Sequence, residues 1–273
     1  MMVASTACGT EGAVRNPPAS ARQSASSAPN SPLAALLADL SNLQIHEAFD
    51  FVSDTLSKVY IEWPELASQE AKTIALKRKV KKLRWSSLNI HDYKDNAIDF
   101  NKAYYPKNLS KCAVVASALQ LLHSEVVYDV GGGAGPFGTM WKHYHPDSKV
   151  IVVDRSIEQE SIGKKISSII GINIDYEHGD ASNYFTEEKT RGIRIFSYFL
   201  CEQMPEFASI RWDTLIGECG IFVDYGEVLG ALRNIPKSFS VNYASASVKV
   251  PNSLVSFVGD KQLDVNVAVV QRR

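Results

Sequence analysis

Leu33, Leu36, Leu37, Leu40 and Leu43 recur at helical spacing, and Ile45, Phe49, Val52, Leu56 and Val59 carry the stripe to about Tyr60. Apolar residues at i, i+3, i+4 and i+7 turn one helix face toward a core. Trp63-Pro64 ends the run, because proline disfavours helical geometry in the residue before it. The pattern predicts a second helix over roughly 67–85, a loop from Asp92 to Tyr105, and a helix from about Pro106 to Leu122. Beyond residue 125 the period shortens. Val126-Val-Tyr-Asp129, Lys149–Asp154, Ile174–Asp180, Ile193–Leu200 and Ile221–Tyr225 are short apolar runs. Helix-compatible stretches separate them, at about 157–169 and through Ile210, Trp212, Leu215 and Ile216. Such alternation predicts an α/β fold with a doubly wound, mostly parallel sheet covered on both faces. Ser253–Val258 and Leu263–Val270, with a Gly-Asp turn at 259–260, read as a closing antiparallel hairpin.

Val126-Val-Tyr-Asp-Val-Gly-Gly-Gly-Ala-Gly-Pro-Phe-Gly138 carries the strongest chemical signal. A strand meets an acid, Asp129, then glycines at 131, 132, 133 and 135, then a helix start. Glycine lets the backbone turn sharply and approach a ligand where a Cβ would block it. The helix that follows aims its free amides at the same place. The loop fits two templates. Gly133-x-Gly135-x-x-Gly138 matches the dinucleotide fingerprint. Asp129-x-Gly131-x-Gly133-x-Gly135 resembles the first motif of Rossmann-like, class I S-adenosylmethionine-dependent methyltransferases.

The flanks favour the second template. Asp154 ends the next strand and suits the ribose hydroxyls of either ligand. Gly179-Asp180-Ala181 ends the third strand. The resemblance implies that an acid there accepts the adenine amino group. The closing hairpin also resembles the methyltransferase sheet, whose last strand inserts antiparallel. By resemblance, S-adenosyl-L-methionine is the expected cofactor. Asp129 is expected near the methionine amine, and Gly131, Gly133 and Gly135 beside the methionine and ribose. Asp154 is expected at the ribose hydroxyls, Asp180 with Ala181 at the adenine, and Arg155 among the cofactor-binding residues. A nicotinamide-dependent oxidoreductase is the alternative, but no Tyr-x-x-x-Lys pair appears around 203–220 to donate a proton. A non-catalytic S-adenosylmethionine-binding assembly or regulatory protein is a third reading.

Composition narrows the picture. The 273 residues, 45% apolar, suffice for one large core. Residues 1–32, rich in Ala, Ser, Pro and Gly, are expected to be a disordered tail. Residues 33–110 form the expected helical extension or lid, with Tyr104 and Tyr105 as lid or core residues, and 111–273 the cofactor-binding domain. Net charge is −1, which gives no whole-protein case for nucleic acid. Lys77–Arg84 holds six cations in eight residues and suits either a solvated helix face or an RNA contact. The four scattered cysteines form no C-x-x-C pair, so a metal site is not expected and a reducing compartment is. No apolar run has the length of a membrane span, so a cytoplasmic location is expected, with mitochondrial import as the lesser alternative.

In the methyltransferase fold the end of the fourth strand faces the transferred methyl. Here it reads Ser197-Tyr-Phe-Leu-Cys-Glu-Gln-Met-Pro205. It has neither an Asn/Asp-Pro-Pro-aromatic motif nor a Pro-Cys nucleophile, so exocyclic base amines and cytosine C5 are disfavoured acceptors. Glu202 is the expected catalytic base or substrate-orienting acid, with helix capping as its structural alternative. Asp224 and Glu227 are acceptor-contact candidates, Cys201 reads as an ordinary buried thiol, and His143 and His145 read as exposed helix-end residues. Tyr105-Pro-Lys-Asn, the glycine loop, Val153-Asp-Arg-Ser156, Ser197–Pro205 and Gly220–Gly226 occur in an order similar to the methyltransferase-like proteins of mitochondrial small-ribosomal-subunit assembly. The chain departs from that family in lacking its cysteine cluster and in having Asp224-Tyr225 for the expected Glu-Pro. The acceptor expected overall is an RNA or a small molecule.

Overall fold

A computed structural model describes residues 42–67, 96–185 and 191–273. The expected tail, the first part of the leucine stripe, the helix over 67–85 and the Lys77–Arg84 cluster lie outside the described residues. Helix α1 (Asn42–Glu62) buries Phe49, Val52, Leu56 and Val59, the face its spacing predicts. It stops at Trp63, and a single turn, α2 (Pro64–Ala67), follows.

Helix α3 (Ala97–Ala118) starts about two turns before the expected Pro106, which sits in its interior. Proline forfeits one intrahelical bond there. Burial of Ala97, Asn101 and Tyr105 on the side facing the rest of the protein outweighs that loss. Local propensity marked Pro106 as a natural first residue, and tertiary packing overrode it. The same helix runs through residue 110, so the N-terminal helices and the sheet share one core.

Strands and helices then alternate: β1 (Val126–Val130), α4 (Pro136–Tyr144), β2 (Lys149–Asp154), α5 (Ile157–Ile170), β3 (Asp175–His178), α6 (Ala181–Tyr184) and β4 (Ile193–Ser197). Next come α7 (Leu200–Gln203), a 3-10 segment over Met204–Ser209, α8 (Trp212–Ile216), β5 (Cys219–Val223) and α9 (Gly226–Leu229). The chain ends with β6 (Phe239–Lys249), α10 (Asn252–Val258) and β7 (Gln262–Arg272). The sheet order is β3-β2-β1-β4-β5-β7-β6. The first five strands are parallel, and β7 inserts antiparallel to both β5 and β6. This is the Rossmann-like doubly wound sheet with an antiparallel C-terminal hairpin.

The hairpin's first strand is a correction. Ser253–Val258 lies in helix α10, and the partner of β7 is β6, eleven residues long. Leu254 and Val258 face the core four residues apart. A short apolar run does not separate strand from helix by its composition alone. Strand β6 was hidden for the opposite reason, since its Asn, Ser and Ala positions carry little apolar signal.

Side-chain alternation along the strands builds two cores. Ile193 and Ile195 of β4, with Ile221 and Val223 of β5, face α1, α3 and α4. Phe196 and Phe222, one residue out of phase, face α8 and α9, and their rings stack at 4.3 Å. Arg194 shares this second face. Its guanidinium lies 4.1 Å from the Phe185 ring centroid and donates to the Thr214 carbonyl.

Candidate functional site

The sheet order reverses between β1 and β4, and a cleft opens there at the strand carboxyl ends. Its volume is about 260 Å³. The floor is Gly131–Ala134, Val153 to Ser156 and Gly179–Ala181. The far wall is Ser197, Tyr198 and Phe199, continued by Ile210, Arg211 and Thr214. Helix α3 roofs it with Asn101, Tyr105 and Asn108, spaced i, i+4 and i+7 on one face. Tyr105 is therefore both core and cleft wall, at 3% exposure, while the Tyr104 ring packs against Phe100 at 4.9 Å.

Of the residues marked by the sequence, Gly131, Gly133, Asp154, Arg155, Asp180 and Ala181 converge on this one cleft. Asp154 accepts the Gly133 N–H at 2.8 Å on one oxygen and the Ser156 N–H at 2.9 Å on the other. The Arg155 N–H also supports this carboxylate. Burial raises its pKa, and the Ser156 and Gly133 amides hold it back. Arg155 and Asp180 form an ion pair at the rim, 3.8 Å apart and both well exposed, which contributes little to stability.

Asp129 and Gly135 lie elsewhere. Asp129 is fully buried beneath the loop and accepts the Gly138 N–H at 2.9 Å, inside the first turn of α4. A carboxylate there balances the positive end of the helix. A Cβ on Gly132 would lie 2.6 Å from the Asp129 carboxyl carbon, so the loop seals the acid from the cleft. Asp129 Oδ2 thus caps the helix, while Asp129 Oδ1 is buried with no hydrogen-bond partner. Burial pushes its pKa up to about 7, the Gly138 amide lowers it, and Asp154 adds to the rise.

The loop glycines divide their work. A Cβ on Gly131 (φ +63°) would meet the Phe199 ring at 2.7 Å. One on Gly135 (φ +73°) would meet Tyr176 Oη at 2.9 Å and Val152 at 3.0 Å. One on Gly133 (φ +56°) meets nothing closer than Gln159 Oε1 at 3.6 Å. Only Gly133 combines a left-handed backbone with open space toward the cleft. Gly138 lets α4 approach β2, since a Cβ there would lie 3.2 Å from both Val150 and Val152.

The β4 end is built differently. Tyr198 is the non-glycine residue with positive φ (58°) among the described residues. Its N–H donates to the Val223 carbonyl at 2.8 Å, and its carbonyl accepts the Cys201 thiol at 2.9 Å. Its ring meets Tyr225 edge-on at 5.6 Å, with the Lys111 ammonium 5.5 Å from the ring centroid. Lys111 is buried, and burial lowers its pKa to about 8, with Lys107 adding to the shift.

Asp224 does not reach the cleft. It accepts the Cys201 N–H at 3.0 Å and the Tyr225 N–H at 2.8 Å, tying the ends of β4 and β5 together. Burial raises its pKa to about 6 against the pull of those amides. Glu202 falls on α7 directly after this turn, and its side chain lies outside the described residues. His145 is buried against Trp141, which corrects its expected exposure. His143 is exposed and stacks on Phe51 at 3.8 Å. Among the described residues no group of His, Cys, Asp and Glu has the geometry of a metal site. None of the described helices is long and apolar enough to cross a membrane.

Sequence reasoning missed Asn101, Gln159 and the Ile210–Thr214 wall. The first two carry no motif, and the wall follows an irregular 3-10 segment without a period to read.

No protein-family model matches the chain, and no curated protein matches it. Solved structures do. The plantazolicin methyltransferase BpumL in complex with SAH is 12% identical over 73% of this chain and 100% of that one, with a TM-score of 0.46. A candidate RNA methyltransferase from Pyrococcus horikoshii is 15% identical over 61% of this chain and 84% of that one, with a TM-score of 0.43. The Pyrococcus abyssi tRNA (uracil-54, C5)-methyltransferase in complex with S-adenosyl-L-homocysteine is 10% identical over 59% and 38%, with a TM-score of 0.38.

Proposed function

We propose that the chain is an S-adenosylmethionine-dependent methyltransferase that holds its cofactor in this cleft. The observation that carries the reading is the convergence of Gly133, Asp154 and Asp180-Ala181, from three successive strand ends, on one cavity. The donor set fits the group. Asp154 offers a carboxylate to a ribose hydroxyl, Gly133 leaves the backbone bare beside it, and Asp180 with Ala181 forms the edge suited to an adenine. Gly131 stands next to Gly133 toward the methionine end, and Arg155 steadies Asp180 at the rim. The bound cofactor supplies a methyl group on a sulfonium, already activated for displacement.

The chain's own residues then have to position and shield. Helix α3 covers the cleft from above and serves as its roof. Tyr198 and Phe199 present aromatic faces on the side away from Asp154, where an acceptor enters. Glu202, one turn beyond them, is the group assigned to orient the acceptor or take its proton. The acceptor is an RNA or a small molecule, with Lys77–Arg84 as the RNA-contacting segment in the first case.

Calorimetric titration of S-adenosylmethionine, S-adenosylhomocysteine and NAD(H) tests the assignment. Micromolar binding of the sulfur nucleotides is expected, weakened about tenfold or more by Asp154→Ala. Binding of NAD(H) in their place would make the chain an oxidoreductase. Sulfur-nucleotide binding with no methyl transfer to RNA or small-molecule pools would favour a non-catalytic binding protein.

A further inference from the structure

Two buried amides meet over the cleft. Asn101 of α3 and Gln159 of α5 are 3% and 4% exposed, and both line the cavity. Asn101 Nδ2 donates to the Ala97 carbonyl at 2.9 Å and to Gln159 Oε1 at 2.8 Å. A backbone carbonyl only accepts, so the orientation of the Asn101 amide is fixed, and Gln159 has to turn its oxygen toward it. Two groups remain without a protein partner among the described residues. They are Asn101 Oδ1, an acceptor, and Gln159 Nε2, a donor. Neither atom is fully enclosed, so both are open to a partner in the cavity that the two residues line.

Their neighbourhood identifies the partner. Gln159 Oε1 lies 3.6 Å from the Cβ position of Gly133, and the Gly133 N–H is bound to Asp154. Asp154 accepts hydrogen bonds and donates none. A hydroxyl that donates to it keeps an oxygen that still needs a donor, and a neighbouring hydroxyl needs an acceptor of its own. Gln159 Nε2 and Asn101 Oδ1 are that donor and that acceptor. We propose that Asn101 and Gln159 form the neutral half of a ribose-diol site whose anionic half is Asp154. This rests on the cofactor assignment above and extends it to two residues on two different helices. It also makes α3 a direct reader of the nucleotide as well as its cover.

The alternative role is a structural tie between α3 and α5, and ligand chemistry separates the two. S-adenosylhomocysteine and its 2′-deoxy and 3′-deoxy analogues are titrated into wild type, Asn101→Ala, Gln159→Ala and Gln159→Glu. Each alanine variant is expected to weaken S-adenosylhomocysteine about tenfold, the worth of one hydrogen bond to a buried group. At least one deoxy analogue, already weak on wild type, should lose less than about threefold further. Gln159→Glu keeps an oxygen for Asn101 and so preserves the tie, but it removes the donor and adds a charge beside Asp154. It should bind as poorly as Gln159→Ala or worse. Equal losses for all ligands, wild-type affinity in the alanine variants, or rescue by Gln159→Glu would each overturn the proposal. If wild type binds no sulfur nucleotide at all, the cofactor assignment itself fails and this inference falls with it.

Discussion

The two ends of the cleft use the same materials in opposite ways. At the β1–β2 end an acid at the strand terminus, Asp154, points into the cavity while glycines bare the backbone beside it. At the β4–β5 end the acid, Asp224, points inward to clamp two backbone amides, and aromatic rings face the cavity instead. The first end is polar, and the proposed cofactor site uses it for hydroxyls. The second sets aromatic rings among polar side chains on a strained turn. An acid at a strand end is thus not a site by itself, and where its carboxylate finds its hydrogen bonds decides the matter. Asp129 makes the point within the first region, since it belongs to the motif and yet turns one oxygen to the Gly138 amide of α4 and buries the other beneath the loop.

The sharpest way to break this comparison is inside the glycine loop. Gly135→Ala places a methyl against Tyr176 Oη, which cannot retreat because it is held by Ser167 Oγ at 2.9 Å and the Ala134 carbonyl at 3.3 Å. With the added cost of a positive φ, a loss of about 2–4 kcal/mol in chemical denaturation is expected. Gly133→Ala meets open space, so only the backbone strain of about 1 kcal/mol applies. Its main effect should instead be on sulfur-nucleotide affinity. If the two variants lose equal stability, the division of labour within the loop is wrong.

A smaller effect tests whether Asp129 is structural. Its folded pKa, about 7, lies above the ordinary carboxylate value of 3.8. The folded protein therefore binds this proton more tightly than the unfolded chain. The stability it favours is full below about pH 4 and is lost as pH rises toward 7. Asp154 and Asp224, also raised by burial, act in the same direction. Asp129→Asn keeps an oxygen for the Gly138 amide and cannot ionise. Between pH 5 and pH 8 the wild type should lose on the order of 1–3 kcal/mol more than this variant. Parallel pH profiles would show that Asp129 ionises freely and is not sealed by the loop.

Much of this was legible in the sequence. The strand–helix alternation, the glycine loop and the acids at 154 and 180 were readable because each rests on local chemistry at fixed spacing. The start of α3 was not, because Pro106 outweighs the weaker start signals of Asn96 and Asp99, and packing carries the helix across the proline. Strand β6 was invisible because it is an edge strand with a weakly apolar sequence. Asn101 and Gln159 stand 58 residues apart, so only the folded chain makes them a pair.

The smallest expected effect concerns Tyr198. A tyrosine at φ 58° costs about 1 kcal/mol or slightly more in backbone strain, which Tyr198→Gly relieves. The same change removes a half-buried ring that contacts Tyr225 and Lys111, worth a comparable amount. The two contributions nearly cancel, so stability should change by less than about 1 kcal/mol. Because the ring belongs to the proposed acceptor end, S-adenosylhomocysteine affinity should move by less than about twofold, while methyl transfer to any identified acceptor should fall further. A tenfold loss of S-adenosylhomocysteine affinity on Tyr198→Gly would place the ring against the cofactor. The strained turn would then serve the same ligand as Asp154, and the functional distinction between the two ends of the cleft would disappear.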